Sequence, residues 1–245
     1  MSIEESITTI LGQIKEGKLS EVPALLSQIQ GEPLNSPQLG TEQSDPENVA
    51  LRALIHAQRG DLDQAFELLL PVVQKQPKTP YLQWALQWLD RPEAKNAIKK
   101  ERFYGFIAYL INQFATLNRD KQSRECTLEP MPTLIAKLRE TQPPDADLLV
   151  VSVSLLRRLG FVDQALEYAN LAYEMEPSFR SATARAVAYE SLKKPDEALE
   201  AYRDAMKLEP NEVSIRLSMG DLLWEYGRRD EAEELYQDAL SLEPM

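Results

Sequence analysis

Four stretches of this chain are written on one template. "LDQAFELLLPVVQKQP" closes on Pro77, "VDQALEYANLAYEMEP" on Pro177, "PDEALEAYRDAMKLEP" on Pro210 and "RDEAEELYQDALSLEP" on Pro244. They align without gaps. Asp stands second in each (Asp63, Asp163, Asp196, Asp230), where a carboxylate can cap free backbone N–H groups or favour the positive end of the helix dipole. Ala follows two places on (Ala65, Ala165, Ala198, Ala232), and seven residues later come Val72, Ala172, Ala205 and Ala239. Positions seven apart return to one helix face, and small residues there admit a close partner helix. The final Pro cannot donate an N–H and disfavours helix in the residue before it.

Another helical stretch precedes each template: "NVALRALIHAQRG", "DLLVVSVSLLRRLG", "SATARAVAYESLKK" and "VSIRLSMGDLLWEYG". Three end at Gly60, Gly160 or Gly227, the residue that takes the left-handed C-terminal cap most cheaply. Twelve residues before each template Ala stand Ala53, Val153, Ala186 and Gly220, three of them small. The unit is a helix–turn–helix, and its closing prolines lie 33 residues apart (Pro177 to Pro210) and then 34 (Pro210 to Pro244).

A helix–turn–helix of that length, with small residues at these spacings and a closing Pro, resembles the tetratricopeptide repeat. The resemblance covers three tandem units over 145–245 and a single one over 47–77. It implies an all-α fold, a right-handed superhelical solenoid of helix–turn–helix repeats. Some positions depart from the pattern. Leu223 fills the large aromatic place, with Trp224 one residue beyond, and His56 takes that place in the first unit. Ala169 replaces the bulky residue supplied elsewhere by Leu69, Tyr202 and Tyr236. Pro71 falls inside a second helix and should kink or shorten it.

The remaining segments follow from spacing and composition. "SIEE" fits a capping box, and Ile3, Ile7, Ile10, Leu11 and Ile14 line one face, so an N-terminal helical hairpin is expected over 1–30. Pro, Gly, Ser and Gln crowd 31–46, which reads as a flexible linker. The 100 residues from Pro77 to Pro177 are close to three repeat lengths, so 78–144 should hold divergent helical repeats. "YLQWALQWLD", "ERFYGFIAYLINQFATL" and "PTLIAKLRE" are its helices, with a loop near 118–130; a continuous helix from Pro92 to Leu117 fits equally well.

Catalysis needs a positioned nucleophile, base or metal. His56 is the one histidine and falls on the inward face of a repeat helix, where a packed or hydrogen-bonded structural role is expected. Cys126, the one cysteine, stands near Lys121 and Arg124, which can lower a thiol pKa; an ordinary exposed thiol is the expected reading. No Gly-rich phosphate loop or zinc spacing occurs in the sequence, so no cofactor and no metal are expected and the chain reads as a non-enzyme. Without a basic n-region and apolar h-region, and with no run long enough to span a bilayer, a cytoplasmic, reducing environment is expected. The net charge is −12, and 145–245 carries 21 acidic against 11 basic side chains. That field repels nucleic-acid phosphate. Residues 91–125 carry eight basic against four acidic side chains, which read as solvated helix faces.

Stacked hairpins bury their apolar faces against neighbours and curve into a concave surface. In the resembled family, first helices line that surface and bind peptides or partner helices. Carried onto this sequence, the first such helix contributes Asp147, Val150, Val151, Ser154, Arg157 and Arg158. The second contributes Arg180, Thr183, Ala184, Val187 and Glu190. The third contributes Ser214, Leu217, Ser218, Asp221, Trp224 and Glu225. All except Val150, Ala184, Glu190, Ser214, Ser218 and Glu225 are put forward as partner contacts. Chaperone-binding members of the family hold a carboxylate with Lys and Asn at such places. None stands here, although Arg157, Arg158 and Arg180 leave an Arg-based site for an acidic group open. Trp224 serves either as an apolar anchor or as packing between repeats. The expectation is an interaction scaffold or adaptor with a protein or peptide partner. Alternatives are self-association through an uncapped C-terminal edge (Leu235, Ala239, Leu240) or a regulatory arm of a larger protein.

Overall fold

The structure is a computed structural model and describes residues 9–14, 16, 18, 46–95, 97–143 and 145–242. Among these residues there are helices and turns but no strand, and no helix is long and apolar enough to cross a membrane. The chain forms two compact units, Met1–Pro143 and Pro144–Met245. The hairpin expected over 1–30 and the linker over 31–46 lie largely outside the described residues. Residues 9–14 are helical, with Ile10 and Ile14 buried.

The first unit contains α1 (Pro46–Gln58), α2 (Leu62–Lys75), α3 (Tyr81–Leu89), α4 (Lys100–Arg119) and α5 (Met131–Thr141). The turn between α1 and α2 uses Gly60 at φ +83°, and the Asp61 carboxylate accepts from the Gln64 N–H to cap α2. Asp63, expected as a candidate cap, does something else. It accepts two hydrogen bonds from the Arg102 guanidinium, both at 2.8 Å, which ties α2 to α4 and holds its carboxyl below the usual aspartate range. Phe66 is the aromatic centre of this unit. It meets Trp88 edge-on at 5.5 Å and Phe103 at 5.0 Å, so α2, α3 and α4 share one apolar core.

Three details of this unit differ from the sequence reading. Pro71, expected to kink or shorten α2, does not shorten it, and the helix continues to Lys75. It sits on the solvent side, where water can meet the carbonyl that lost its donor. A single 3-10 turn, Pro92–Ala94, separates α3 from α4, so no continuous helix starts at Pro92. The expected loop near 118–130 is helical instead, with a turn at Lys121–Ser123 and a π-helical turn at Arg124–Leu128. Asp120 caps that turn through the Ser123 N–H, and Thr127 and Leu128 are buried, with the Thr127 hydroxyl donating to the Pro77 carbonyl. Polar composition hid an anchored turn there.

The second unit is three antiparallel pairs: α6 (Ala146–Arg158) with α7 (Val162–Met175), α8 (Phe179–Ser191) with α9 (Pro195–Leu208), and α10 (Val213–Glu225) with α11 (Arg229–Leu242). Each second helix also packs on the next first helix. The small-residue columns are the contact. Ala165, Ala198, Ala232 and Ala186 are completely buried. Gly220 shows why size matters, because a Cβ built there would lie 2.5 Å from the Tyr236 ring. Side chains pin the pairs as well. Arg185 reaches Asp204, and the largely buried Arg216 pairs with Asp238 and donates to the Glu212 carbonyl at 3.1 Å. Asp204 and Asp238 occupy equivalent places in successive repeats, yet arginines from different positions reach them.

The repeat ends compare directly. Gly160 and Gly227 turn at φ +86° and +78°, whereas the α8–α9 turn places Lys193 at φ +58°. A side chain in the left-handed region costs roughly 1–2 kcal/mol. Lys193→Gly is therefore expected to raise the stability of this unit by about 0.5–1 kcal/mol, the relieved cost less the larger unfolded-state entropy of glycine. Urea denaturation of the two proteins checks this.

Candidate functional site

The three first helices α6, α8 and α10 bring their C-terminal ends together around a cavity of about 400 Å³. Arg157 enters from α6, and Glu190 and Ser191 from the end of α8. Ser218, Asp221, Leu222 and Glu225 come from successive turns of α10, and Tyr202 reaches in from α9. Lys193 and Tyr226, from the turns that follow α8 and α10, complete the lining.

Arg157, Glu190, Ser191 and Ser218 are half-buried, while Lys193, Asp221 and Glu225 are exposed at its rim. The Tyr202 hydroxyl donates to one Glu190 carboxylate oxygen at 2.9 Å. Burial pushes the Tyr202 phenol up, so it stays a donor at neutral pH. Burial also pushes the Glu190 carboxyl above the usual glutamate range, against the opposing pulls of Tyr202 and Arg157. The Arg157 guanidinium is pushed down, again chiefly by burial. Its Nε–H donates to the Ser191 hydroxyl at 2.7 Å, and that hydroxyl donates to the Val187 carbonyl at 3.0 Å. Lys193 and Glu225 form a loose pair at 3.4 Å. The cavity lining includes no Cys or His and no serine set beside a base as a nucleophile would be.

The structure distributes the sequence-derived contacts unevenly. Arg157 and Asp221 line the cavity, as do Glu190, Ser218 and Glu225 from the wider lining. Val151 is buried, so it packs inside the unit and cannot face a partner. Ser154, Thr183 and Val187 are half-buried and stand outside the cavity lining. Arg158 is exposed, and Arg180 pairs with Asp147 at 2.7 Å, both side chains largely in solvent. Leu217 and Trp224 are 43% and 54% exposed, on the same stripe of α10 as Asp221. Trp224 is not packing between repeats, because its ring lies under the Arg229 guanidinium of α11 at 5.2 Å.

Sequence reasoning missed Ser191, Lys193, Tyr202, Leu222 and Tyr226. Tyr202 belongs to a second helix, where the repeat pattern calls only for a bulky residue. It fills the space, but its hydroxyl passes between helices to Glu190. Lys193 carried the one available signal, a lysine where the other hairpins place glycine. Elsewhere in the chain, the His56 ring nitrogen lies 3.1 Å from the Asp61 carboxylate, in hydrogen-bonding distance. Cys126 is partly buried, and burial together with Glu125 and Asp120 pushes its thiol up. The neighbouring cations do not activate it.

Removing the Tyr202 hydroxyl leaves Glu190 without its donor. Tyr202→Phe is expected to lower stability by about 1 kcal/mol and to raise the Glu190 pKa further. Urea denaturation and a carbon-13 carboxyl titration by NMR measure the two effects.

Tetratricopeptide-repeat family models match residues 152–213 and 191–245. No curated protein sequence matches the chain. Among solved structures, residues 41 to the end of MamA from Desulfovibrio magneticus RS-1 are similar at a TM-score of 0.50 and 14% identity, over 80% of this chain and 94% of that one. YrrB, described as a tetratricopeptide-repeat protein with an unusual peptide-binding site, is similar at a TM-score of 0.47 and 14% identity, over 82% and 87% of the two chains. Three stacked hairpins, small-residue contacts between their helices and two matching family models identify tetratricopeptide repeats in the C-terminal unit.

Proposed function

We propose that the C-terminal unit is a non-catalytic scaffold that receives a segment of a partner polypeptide across the first helices α6, α8 and α10. The observation that carries this reading is the cavity itself. Three successive repeats converge on one space and leave half-buried hydrogen-bonding groups in it. Beside it, Leu217 and Trp224 present apolar surface on the same stripe as Asp221. Exposed aromatics next to polar groups with unused capacity favour a polypeptide that brings both side chains and main-chain groups. The acidic surface disfavours nucleic acid as the partner, and the reading places the protein in the cytoplasm, where the Cys126 thiol stays reduced. The double substitution Leu217→Ala and Trp224→Ala is expected to weaken binding of peptides selected on the full chain from a random library at least tenfold. Unchanged affinity in fluorescence anisotropy, with helical circular dichroism intact, rejects the groove.

A second reading, self-association, rests on a different observation. Tyr202 is 2% exposed because α10 covers it, whereas its repeat equivalent Tyr236 is only half-buried and Leu240 is 74% exposed. Ala239, expected on this edge, is buried within the hairpin. Leu235 is half-buried. The reading makes the α11 face the contact between two copies. Sedimentation over a hundredfold concentration range is expected to show reversible association that Leu240→Glu abolishes; a single monomeric species throughout rejects it.

A further inference from the structure

We propose that the cavity between α6, α8 and α10 is a receptor for a cationic side chain, a lysine or arginine of the partner polypeptide. This rests on the groove reading above and names what enters it. Three features of the cavity point to a cation.

The first is the state of Glu190. Its carboxylate is half-buried by the packing of α8 against its neighbours, and burial is the largest influence on its titration. One oxygen accepts from Tyr202. Among the described residues that hydroxyl is its one hydrogen-bond donor. A half-buried carboxylate with an unused oxygen gains most from a charged donor. Arg157 attracts it from α6 but is held to Ser191 through Nε.

The second is the sign of the field. Glu190, Asp221 and Glu225 face two cations, Arg157 and Lys193. Lys193 sits at the mouth with its side chain 73% exposed and makes only the 3.4 Å pair with Glu225, an arrangement worth little and easily displaced. The surrounding unit carries 21 acidic against 11 basic side chains, so an approaching cation is drawn in and an anion is repelled.

The third is the shape of the lining. A lysine or arginine presents a methylene stem behind its charged head. Leu222 supplies a buried apolar wall, and Tyr226, 40% exposed, supplies an aromatic face beside the carboxylates. Aromatic faces attract ammonium and guanidinium groups directly. An acidic side chain would use none of these three features and would have to rely on Arg157 and Lys193, which are already engaged by Ser191 and Glu225.

The charged groups around Glu190 also set a pH signature. Arg157 on α6, Tyr202 on α9, Lys193 in the following turn and Asp221 and Glu225 on α10 surround it. Burial raises its pKa, so Glu190 gives up its proton at higher pH than a solvated glutamate does. Affinity for a cation therefore climbs as pH rises through the Glu190 titration. Affinity for an anion held by Arg157 would fall over the same range.

The test uses the full chain and peptides selected on it from an unbiased random library. The expected result is a lysine or arginine recurring at one position, with peptides in which that residue is changed to glutamine bound at least tenfold more weakly. Glu190→Gln, which keeps an acceptor for Tyr202, should remove that tenfold preference and the rise of affinity with pH. Arg157→Gln, which removes a like charge, should strengthen the same peptides. Recurring acidic residues or a free C-terminal carboxylate, with binding abolished by Arg157→Gln, overturn the cation assignment and leave the groove reading standing. The same holds for peptides that respond to Leu217→Ala and Trp224→Ala but bind equally with glutamine in place of lysine. If no selected peptide responds to any substitution on these helices, both readings fall.

Discussion

The C-terminal unit depends on how closely its helices approach. A two-helix hairpin has more apolar surface than it can cover by itself, and the repeat solves this by stacking. Stacking at short range requires a helix face without bulk. Ala165, Ala198 and Ala232 on the second helices, with Ala186 and Gly220 on the first, provide it. The Tyr236 ring rests where a Gly220 side chain would be. Everything else in the unit follows from this contact. It sets the spacing of the first helices and so brings Arg157, Glu190 and Asp221, distant in sequence, to one cavity.

The same packing leaves polar groups in an uneasy position. Glu190 and Arg157 are withdrawn from water far enough to shift in opposite directions, each toward its neutral form. They retain a charge that internal partners only partly satisfy. A protein built for stability alone would place apolar residues there. Lys193 adds to the pattern. It holds a left-handed turn that glycine holds in the other hairpins, and its side chain stands at the rim of the cavity. Strain and incomplete pairing fall in one place.

Much of the architecture was legible beforehand because it is local and periodic. The Asp-x-Ala template, the closing prolines and the turn glycines are properties of short segments, and they set helix, turn and hairpin without reference to distant residues. The first-helix lining was legible only by analogy, and unevenly so. Arg157, Asp221, Glu190, Ser218 and Glu225 meet in the cavity, whereas Val151 turned inward. Periodicity assigns a residue to a face but does not say how deep a neighbouring helix will bury it. The helical turns over 121–128 were missed for a related reason. Their anchors, Thr127 to Pro77 and Asp120 to Ser123, include a partner 50 residues away.

By itself the sequence determined that the chain would be helical, where its C-terminal hairpins begin and end, and that small residues would let them stack. Those outcomes depend on backbone preference and on repetition, and both can be read one segment at a time. Only the tertiary structure decided that Tyr202 would pass its hydroxyl to Glu190 from a different helix. It also decided that Trp224 would remain outside the core under Arg229, and that one cavity would collect a half-buried carboxylate, an aromatic face and an apolar wall. These depend on distances between repeats, which close packing sets and which no single segment encodes.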